Sequence, residues 1–137
     1  MKCSNHEAVI DAIMEQYNKD CMEMSVVYGP YSVGKTHIAR ELRSRLEPSH
    51  TVYLLGRLAN ESIHIRSIER ELKKPSGTYQ TLEEALRGVF QASLDKRVMC
   101  IIDDYPSFVD TVPQAPIILR DLMETYLNHG NVFILLM

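Results

Sequence analysis

The sequence contains few cysteines and no long apolar run, and both absences exclude classes of protein. Its three cysteines, Cys3, Cys21 and Cys100, are odd in number and lack the spacing of a metal site, which favours a reducing cytoplasm. No apolar stretch approaches the ~20 residues that a transmembrane helix needs, and the first residues lack the apolar core of a signal peptide. We therefore expect a cytoplasmic protein that does not enter a membrane.

The chain also lacks an overall positive charge. Its net charge is −3, so no long-range electrostatic attraction would draw it to nucleic acid. Two short basic clusters, within residues 40–45 and 66–74, are interleaved with glutamates that include Glu69 and Glu71, so we interpret them as solvated helix faces. A chain of 137 residues, 45% of them hydrophobic, suffices for one core. Since no repeat or linker divides it, we expect a single domain over residues 1–137.

Short apolar runs alternate with amphipathic segments along the chain. The runs predict β-strands at residues 24–28, 51–55, 98–102 and 132–136. The amphipathic segments predict helices at about residues 5–19, 35–46, 60–73, 81–94 and 116–129, and the prolines between Asp104 and Pro116 predict a loop. This alternation is typical of a three-layer α/β/α fold, in which helices cover both faces of a parallel sheet.

Residues 29–36 match the pattern G-x-x-x-x-G-K-[ST] of a phosphate-binding loop. The matching residues are Gly29, Pro30, Tyr31, Ser32, Val33, Gly34, Lys35 and Thr36. Inward-pointing backbone N–H groups and the N-terminus of the next helix can surround a polyanion, and the two glycines permit its close approach. Lys35 would reach the β and γ phosphates, and the hydroxyl of Thr36 would bind Mg²⁺. His37 is either a contact to the α phosphate or an exposed helix residue.

Asp103 follows the apolar run at residues 98–102 directly. A carboxylate at the end of a buried strand next to such a loop can hold the Mg²⁺ ion, so we predict that Asp103 does so together with Thr36. Asp104 occupies the position from which a carboxylate can polarise the attacking water. It is a candidate catalytic residue with Lys35, or alternatively a support for the metal shell. The absence of a guanine-reading N-K-x-D motif favours ATP as the nucleotide.

The residues Val26-Val27-Tyr28 and the loop that follows resemble the "vvyGxRxvGKT" segment of the archaeal-type ATPases, which are related to AAA+ and STAND ATPases. The segment from Ile101 to Phe108 resembles the "liiDEfpyl" segment of the same family, and the resemblance spans about residues 24–137. It implies ATP binding, Mg²⁺ dependence and hydrolysis by an in-line water. Lys35, Thr36 and Asp103 carry over directly, whereas Asp104 replaces the family's glutamate.

The resemblance also implies a strand order of 5-1-4-3-2, of which this sequence contains only the first four strands. The sensor residue, the fifth strand and the lid of that family lie beyond Met137, so the family comparison implies a partial domain whose first strand is an exposed edge. An unpaired edge favours association with a protein partner or with a second copy.

Three functions remain open from the sequence. The first is an ATPase core that drives a partner domain, and the second is an ATP-binding switch with little turnover, which the shorter side chain of Asp104 favours. The third is a small-molecule kinase, although Arg120 is the only arginine after Asp104 and cannot form an arginine-rich lid. A role on nucleic acid has support from family analogy alone.

Overall fold

The computed structural model describes residues 2–19, 21–27, 32–58 and 60–137, with the backbone alone at residues 2–6 and 32–36. Helices and strands alternate along the chain. In order they are α1 (Lys2–Tyr17), β1 (Glu23–Val26), α2 (Ser32–Arg45), β2 (Thr51–Leu55), α3 (Glu61–Glu71), α4 (Leu82–Ala92), β3 (Val98–Asp103), α5 (Tyr105–Thr111), α6 (Ala115–Thr125) and β4 (Val132–Leu136).

The four strands form one parallel sheet in the order β1-β4-β3-β2. β3 and β4 lie in the middle and are buried at every position, as their uninterrupted apolar sequences require. β1 is an edge strand among the described residues, and Met24 and Val26 on it are 37% and 46% exposed. The predicted α/β class and the order of the four strands are therefore confirmed.

Each face of the sheet supports its own apolar core. On one face, α1 and α2 pack over alternate residues of the central strands, such as Met99, Ile101, Phe133 and Leu135. On the other face, α3, α4, α5 and α6 cover the intervening residues, such as Cys100 and Ile134. The alternation follows from the two-residue period of a strand, and it produces the three predicted layers. Every helix in the described part of the chain is too short or too polar to cross a bilayer.

The prediction of a loop between Asp104 and Pro116 is wrong, because residues 105–111 form the short helix α5. Proline is tolerated in the first turn of a helix, where its missing N–H would have no partner, and Pro106 occupies that turn. The fully buried ring of Phe108 then fixes α5 on the core. The last predicted helix ends at Thr125 rather than at His129, and a turn closed by a bond from the Gly130 N–H to the Tyr126 carbonyl follows it.

Other predicted boundaries differ by a few residues. α1 begins and ends earlier than predicted, and α2 begins at Ser32 rather than at Lys35. The prediction that residues 66–74 form a solvent-exposed helix face is wrong for Glu69, whose exposed fraction is only 3%. Its carboxylate turns inward and accepts the N–H groups of Gly77 and Tyr79, which belong to the loop between α3 and α4.

Candidate functional site

The carboxyl ends of all four strands meet at one edge of the sheet, because the strands are parallel. β1 leads from this edge into the predicted phosphate-binding loop, and the N–H of Val27 continues its pairing with a 2.8 Å bond to the carbonyl of Leu136. β3 ends at the same edge with Asp103. In the sheet order β1-β4-β3-β2, β4 alone separates the two strands. The sheet therefore brings the end of β1, which precedes the loop motif in the sequence, and Asp103 to the same edge.

The predicted nucleotide-binding residues are described only in part. Gly29, Pro30 and Tyr31 lie outside the described residues, whereas residues 32–36 form the start of α2 without described side chains. The first four N–H groups of an α-helix have no partner within the helix, so the start of α2 supplies donors for an anion. The side chain of His37 is exposed. The contacts predicted for Lys35 and Thr36 stay predictions.

α2 crosses the sheet on the face toward which Asp103 points. Its residues Ile38, Ala39 and Leu42 are buried in the same core cluster as Met99 and Ile101 of β3. Because side chains on one strand face alternate, Asp103 lies on the face of Met99 and Ile101. The helix that follows the phosphate-binding motif and the predicted metal ligand thus share one face and one edge of the sheet.

Asp103 is 6% exposed and makes a short hydrogen bond. The Tyr53 hydroxyl, on the neighbouring strand β2, donates to Asp103 Oδ2 at 2.6 Å. Burial raises the pKa of Tyr53 far above its ordinary value, and the bond to the Asp103 carboxylate raises it further. Tyr53 is therefore a neutral donor at physiological pH. Asp103 Oδ1 accepts no hydrogen bond from the residues whose side chains are described.

Tyr53 is held by groups from both faces of β2. Its backbone N–H donates to Glu71 Oε1 at 2.8 Å, at the end of α3. The guanidinium of Arg43, on α2, lies 4.9 Å from the centre of the Tyr53 ring and also pairs with Glu71 at 3.5 Å. The carboxylate of Asp103 is thus connected through Tyr53 to α2 and α3.

Asp104 adopts a left-handed backbone conformation, with φ of 59° and ψ of 57°, immediately before α5. Aspartate tolerates this region better than most residues do. Asp104 Oδ2 accepts a bond from the Ser107 hydroxyl at 2.9 Å, and its carbonyl accepts the Phe108 N–H at 3.2 Å. The side chain predicted to be catalytic is half-buried and engaged with the first turn of α5.

Backbone bonds on both sides fix the turn at Asp103 and Asp104. On the side of β2, the Gly56 N–H donates to the Asp103 carbonyl at 2.6 Å. On the side of β4, the Tyr105 N–H donates to the carbonyl of Met137 at 2.9 Å, and the Met137 N–H donates to Ile102 at 3.0 Å. These bonds hold the turn with the two acidic residues against the ends of β2 and β4.

These residues fit a magnesium ion. Mg²⁺ prefers oxygen ligands and is usually held by one or two carboxylates with water and substrate phosphates. Asp103 offers a carboxylate with one oxygen restrained and the other without a partner among the described side chains. No cluster of three or more His, Cys, Asp or Glu side chains suited to a metal occurs in the described ranges, so the described side chains do not build an all-protein cage around Asp103.

The sequence analysis did not identify Tyr53 or Gly56 as part of the site. A signal for Tyr53 does exist in the sequence, because a tyrosine in a buried strand needs a partner for its hydroxyl. The identity of that partner is a matter of the fold, since Tyr53 and Asp103 are 50 positions apart.

Comparison with known proteins gives a fold and no family. No family model matches the chain. An uncharacterised protein of Methanocaldococcus jannaschii, MJECL04, is 23% identical over 133 residues, which cover 97% of this chain and 28% of that protein. Chains from structures of Drosophila ORC bound to GC-rich DNA and Cdc6, and to AT-rich DNA and Cdc6, superpose with TM-scores of 0.56 and 0.55.

In those superpositions the identity is 14% and 13%, and 98% of this chain matches 24% of each ORC chain. The property shared with the matched part of these ORC chains is the α/β fold. The chain spans about a quarter of the length of each of these proteins.

Proposed function

We propose that this chain is the nucleotide-binding core of a Mg²⁺-dependent ATPase. The observation that carries the proposal is the position of α2 and Asp103 on one face and one edge of a parallel sheet. Ligands of open α/β sheets collect at the carboxyl ends of the strands. The sequence pattern at residues 29–36 supplies the phosphate-binding groups at that edge. The likeness to the AAA+ fold of ORC supports the same interpretation.

Each residue has a distinct role in this proposal. The backbone amides of residues 29–36 surround the phosphates, and Lys35 adds a positive charge near the β and γ phosphates. Thr36 and Asp103 hold Mg²⁺, which supplies the positive charge that offsets the phosphate oxygens. Asp104 orients the attacking water for in-line displacement.

A second candidate is an ATP-binding switch that hardly hydrolyses ATP, and the contacts of Asp104 favour it. Asp104 Oδ2 is already bonded to Ser107, and its backbone is held in the left-handed region. Aspartate is also one methylene shorter than glutamate, and a displacement of about 1 Å can cost on the order of 10²-fold in rate. In this case ATP would act by stabilising one conformation for a partner.

Phosphate release at saturating ATP tests the proposal and separates the two candidates. For an ATPase, we expect Lys35→Ala to abolish release and Asp104→Asn to lower it by about 10²-fold or more. Lys74→Ala removes an exposed lysine outside the motif and serves as the matched control. ATP binding without phosphate release would support the switch, whereas release that is unchanged in Lys35→Ala would disprove the site.

The chain spans only about a quarter of the length of the proteins that it resembles. We therefore further propose that the binding or hydrolysis of ATP by this chain acts on a partner domain or protein. The ORC structures were solved with DNA and Cdc6. A net charge of −3 gives this chain no general attraction for DNA. Retention on immobilised DNA that weakens steeply with salt would show that nucleic acid is a partner as well.

A further inference from the structure

We propose that Tyr53 positions Asp103 for the metal of this site, by holding one carboxylate oxygen so that the other is available to Mg²⁺. This inference rests on the proposed function, and it assigns to the site a residue outside the phosphate-binding and acidic motifs. Tyr53 is a positioning residue, because its hydroxyl acts through Asp103 and has no part in the transfer of phosphate.

The register of the sheet makes the contact possible. Tyr53 pairs with Ile101, and Leu55 pairs with Asp103, so the tyrosine lies two positions before the residue opposite the carboxylate. A tyrosine side chain is long enough to reach this diagonal neighbour on the same face. The hydroxyl donates to Oδ2 at 2.6 Å, a short distance typical of an O–H donor and an ionised acceptor.

A single strong bond to one oxygen restricts rotation of the carboxylate. Asp103 is almost fully buried, and its Oδ1 has no hydrogen-bond donor among the described side chains. Oδ1 is not one of the fully buried polar atoms without a partner in the described part of the chain, so it keeps some exposure to solvent. The arrangement therefore leaves Oδ1 for a positive group, and the Tyr53 bond fixes the direction in which Oδ1 points.

Tyr53 is itself restrained, which it must be in order to position another group. Arg43 covers its ring at 4.9 Å, and Glu71 binds both Arg43 and the Tyr53 N–H. Arg43 belongs to α2, the helix that follows the phosphate-binding motif. Tyr53 therefore places Asp103 relative to the helix that carries Lys35 and Thr36.

The simpler explanation is that the bond to Asp103 only gives the hydroxyl of a half-buried tyrosine a hydrogen-bond partner. Metal affinity distinguishes this structural role from a role in positioning Asp103. Partners that orient a metal ligand typically contribute about 10–100-fold in metal affinity. A purely structural hydroxyl would change fold stability and all binding together. Tyr53→Phe removes the hydroxyl and keeps the ring under Arg43. Tyr126→Phe, on the opposite face of the sheet, is the matched control.

The experiment uses all 137 residues of this chain. A non-hydrolysable ATP analogue is titrated in EDTA to measure metal-free nucleotide affinity. Mn²⁺ binding to the chain saturated with the analogue is then followed by electron paramagnetic resonance. We expect Tyr53→Phe to weaken Mn²⁺ binding by about 10-fold and to leave metal-free nucleotide affinity unchanged. Tyr126→Phe should change neither quantity.

A double-mutant cycle with Asp103→Asn makes the test specific. Once the carboxylate has been replaced, Tyr53→Phe should cause little further loss of Mn²⁺ affinity, because the two residues act through one contact. An unchanged Mn²⁺ affinity in Tyr53→Phe would overturn the inference and leave the proposed function standing. Equal losses of Mn²⁺ and metal-free nucleotide affinity would overturn it too. Absence of nucleotide binding by the wild-type chain, with or without metal, would instead refute the proposed function and the inference with it.

Discussion

Gly56 and Asp103 are joined by a 2.6 Å hydrogen bond from the N–H of the glycine to the carbonyl of the aspartate. A Cβ atom at position 56 would meet the Asp104 carbonyl, would lie 2.7 Å from the Asp103 carbonyl oxygen and would lie 2.9 Å from Cβ of Phe108. Two of these three atoms are backbone atoms and cannot rotate away. Glycine is therefore required at position 56 because β2 ends directly against the turn that carries the two acidic residues.

Gly56→Ala should displace that turn. We expect a loss of about 1–3 kcal/mol in the free energy of unfolding, the usual cost of an overpacked site, and weaker Mg²⁺-dependent ATP binding. Chemical denaturation and calorimetry measure the two effects. Gly77→Ala is the contrasting control. Apart from its chain neighbours, no atom of the described residues lies within 4 Å of the added Cβ, although the φ of 90° is unfavourable for alanine. That control should lose stability without losing ATP affinity.

Arg97 should be the cation most important for stability among the described side chains. It donates to the carbonyl of Tyr17 at 2.9 Å, to the carbonyl of Cys21 at 2.5 Å and to the side chain of Asn131 at 2.7 Å. It thereby links the end of α1 to the starts of β1, β3 and β4. Hydrogen bonds to charged groups contribute roughly 1.5–3 kcal/mol each, and their effects are not additive.

We therefore expect Arg97→Lys to lower the free energy of unfolding by at least ~2 kcal/mol, since lysine cannot reproduce the fork of donors. Arg120→Lys is the matched control, because the Arg120 side chain is 67% exposed. Exposed pairs contribute about 0–1 kcal/mol. Urea denaturation of both variants checks the prediction, and equal losses in the two would contradict it.

His64 should make the fold less stable in acid. Its side chain is fully buried against Phe108, with ring centres 4.8 Å apart, and neither ring nitrogen has a hydrogen-bond partner among the described residues. Burial is the largest influence and lowers the pKa of His64 below its ordinary value, whereas the charge of the Glu61 carboxylate opposes the shift.

Because the pKa is lowered in the folded state, the unfolded chain binds a proton first as the pH falls below about 6.5. The stability due to neutral His64 is complete above that pH and is lost progressively below it, with a slope of at most ~1.4 kcal/mol per pH unit. Unfolding measured from pH 7.5 to 5 in wild type and His64→Leu tests this. A similar pH dependence in both proteins would show that other groups are responsible.

The edge of the sheet at β1 should support self-association. Val26 is 46% exposed on this edge strand. A charged side chain on an edge opposes pairing with another strand, so we expect Val26→Lys to shift the chain toward the monomer. Ile117→Lys, at a position on α6 that is 52% exposed, controls for a general gain in charge. Light scattering over a range of concentrations measures the shift, and an equal effect of both substitutions would argue against the edge.

The backbone framework could be predicted from the sequence because it depends on local patterns. The apolar residues of β3 and β4 and the periodic residues of α4 identify their elements without knowledge of the fold. α5 was missed because Pro106 usually signals a loop, and only its place in the first turn of a helix makes it compatible with one.

Only those parts of the candidate site that are encoded in local sequence patterns could be predicted. The phosphate-binding pattern and Asp103 are contiguous motifs, whereas the bond from Tyr53 joins residues on different strands. The inward turn of Glu69 likewise depends on a loop whose N–H groups it binds. Such contacts follow from strand order and packing, which residue spacing alone does not determine.

Isothermal titration calorimetry of Mg-ATP into the folded chain tests the central claim most directly, with Lys35→Ala and the control Lys74→Ala measured in parallel. If residues 29–36 bind the phosphates, the wild-type chain and Lys74→Ala should bind ATP with equal affinity, and Lys35→Ala should lose about 10-fold or more, the equivalent of roughly 1.4 kcal/mol. Absence of binding heat at all temperatures tested, or an affinity unaffected by Lys35→Ala, would contradict the assignment of this edge of the sheet as a nucleotide site.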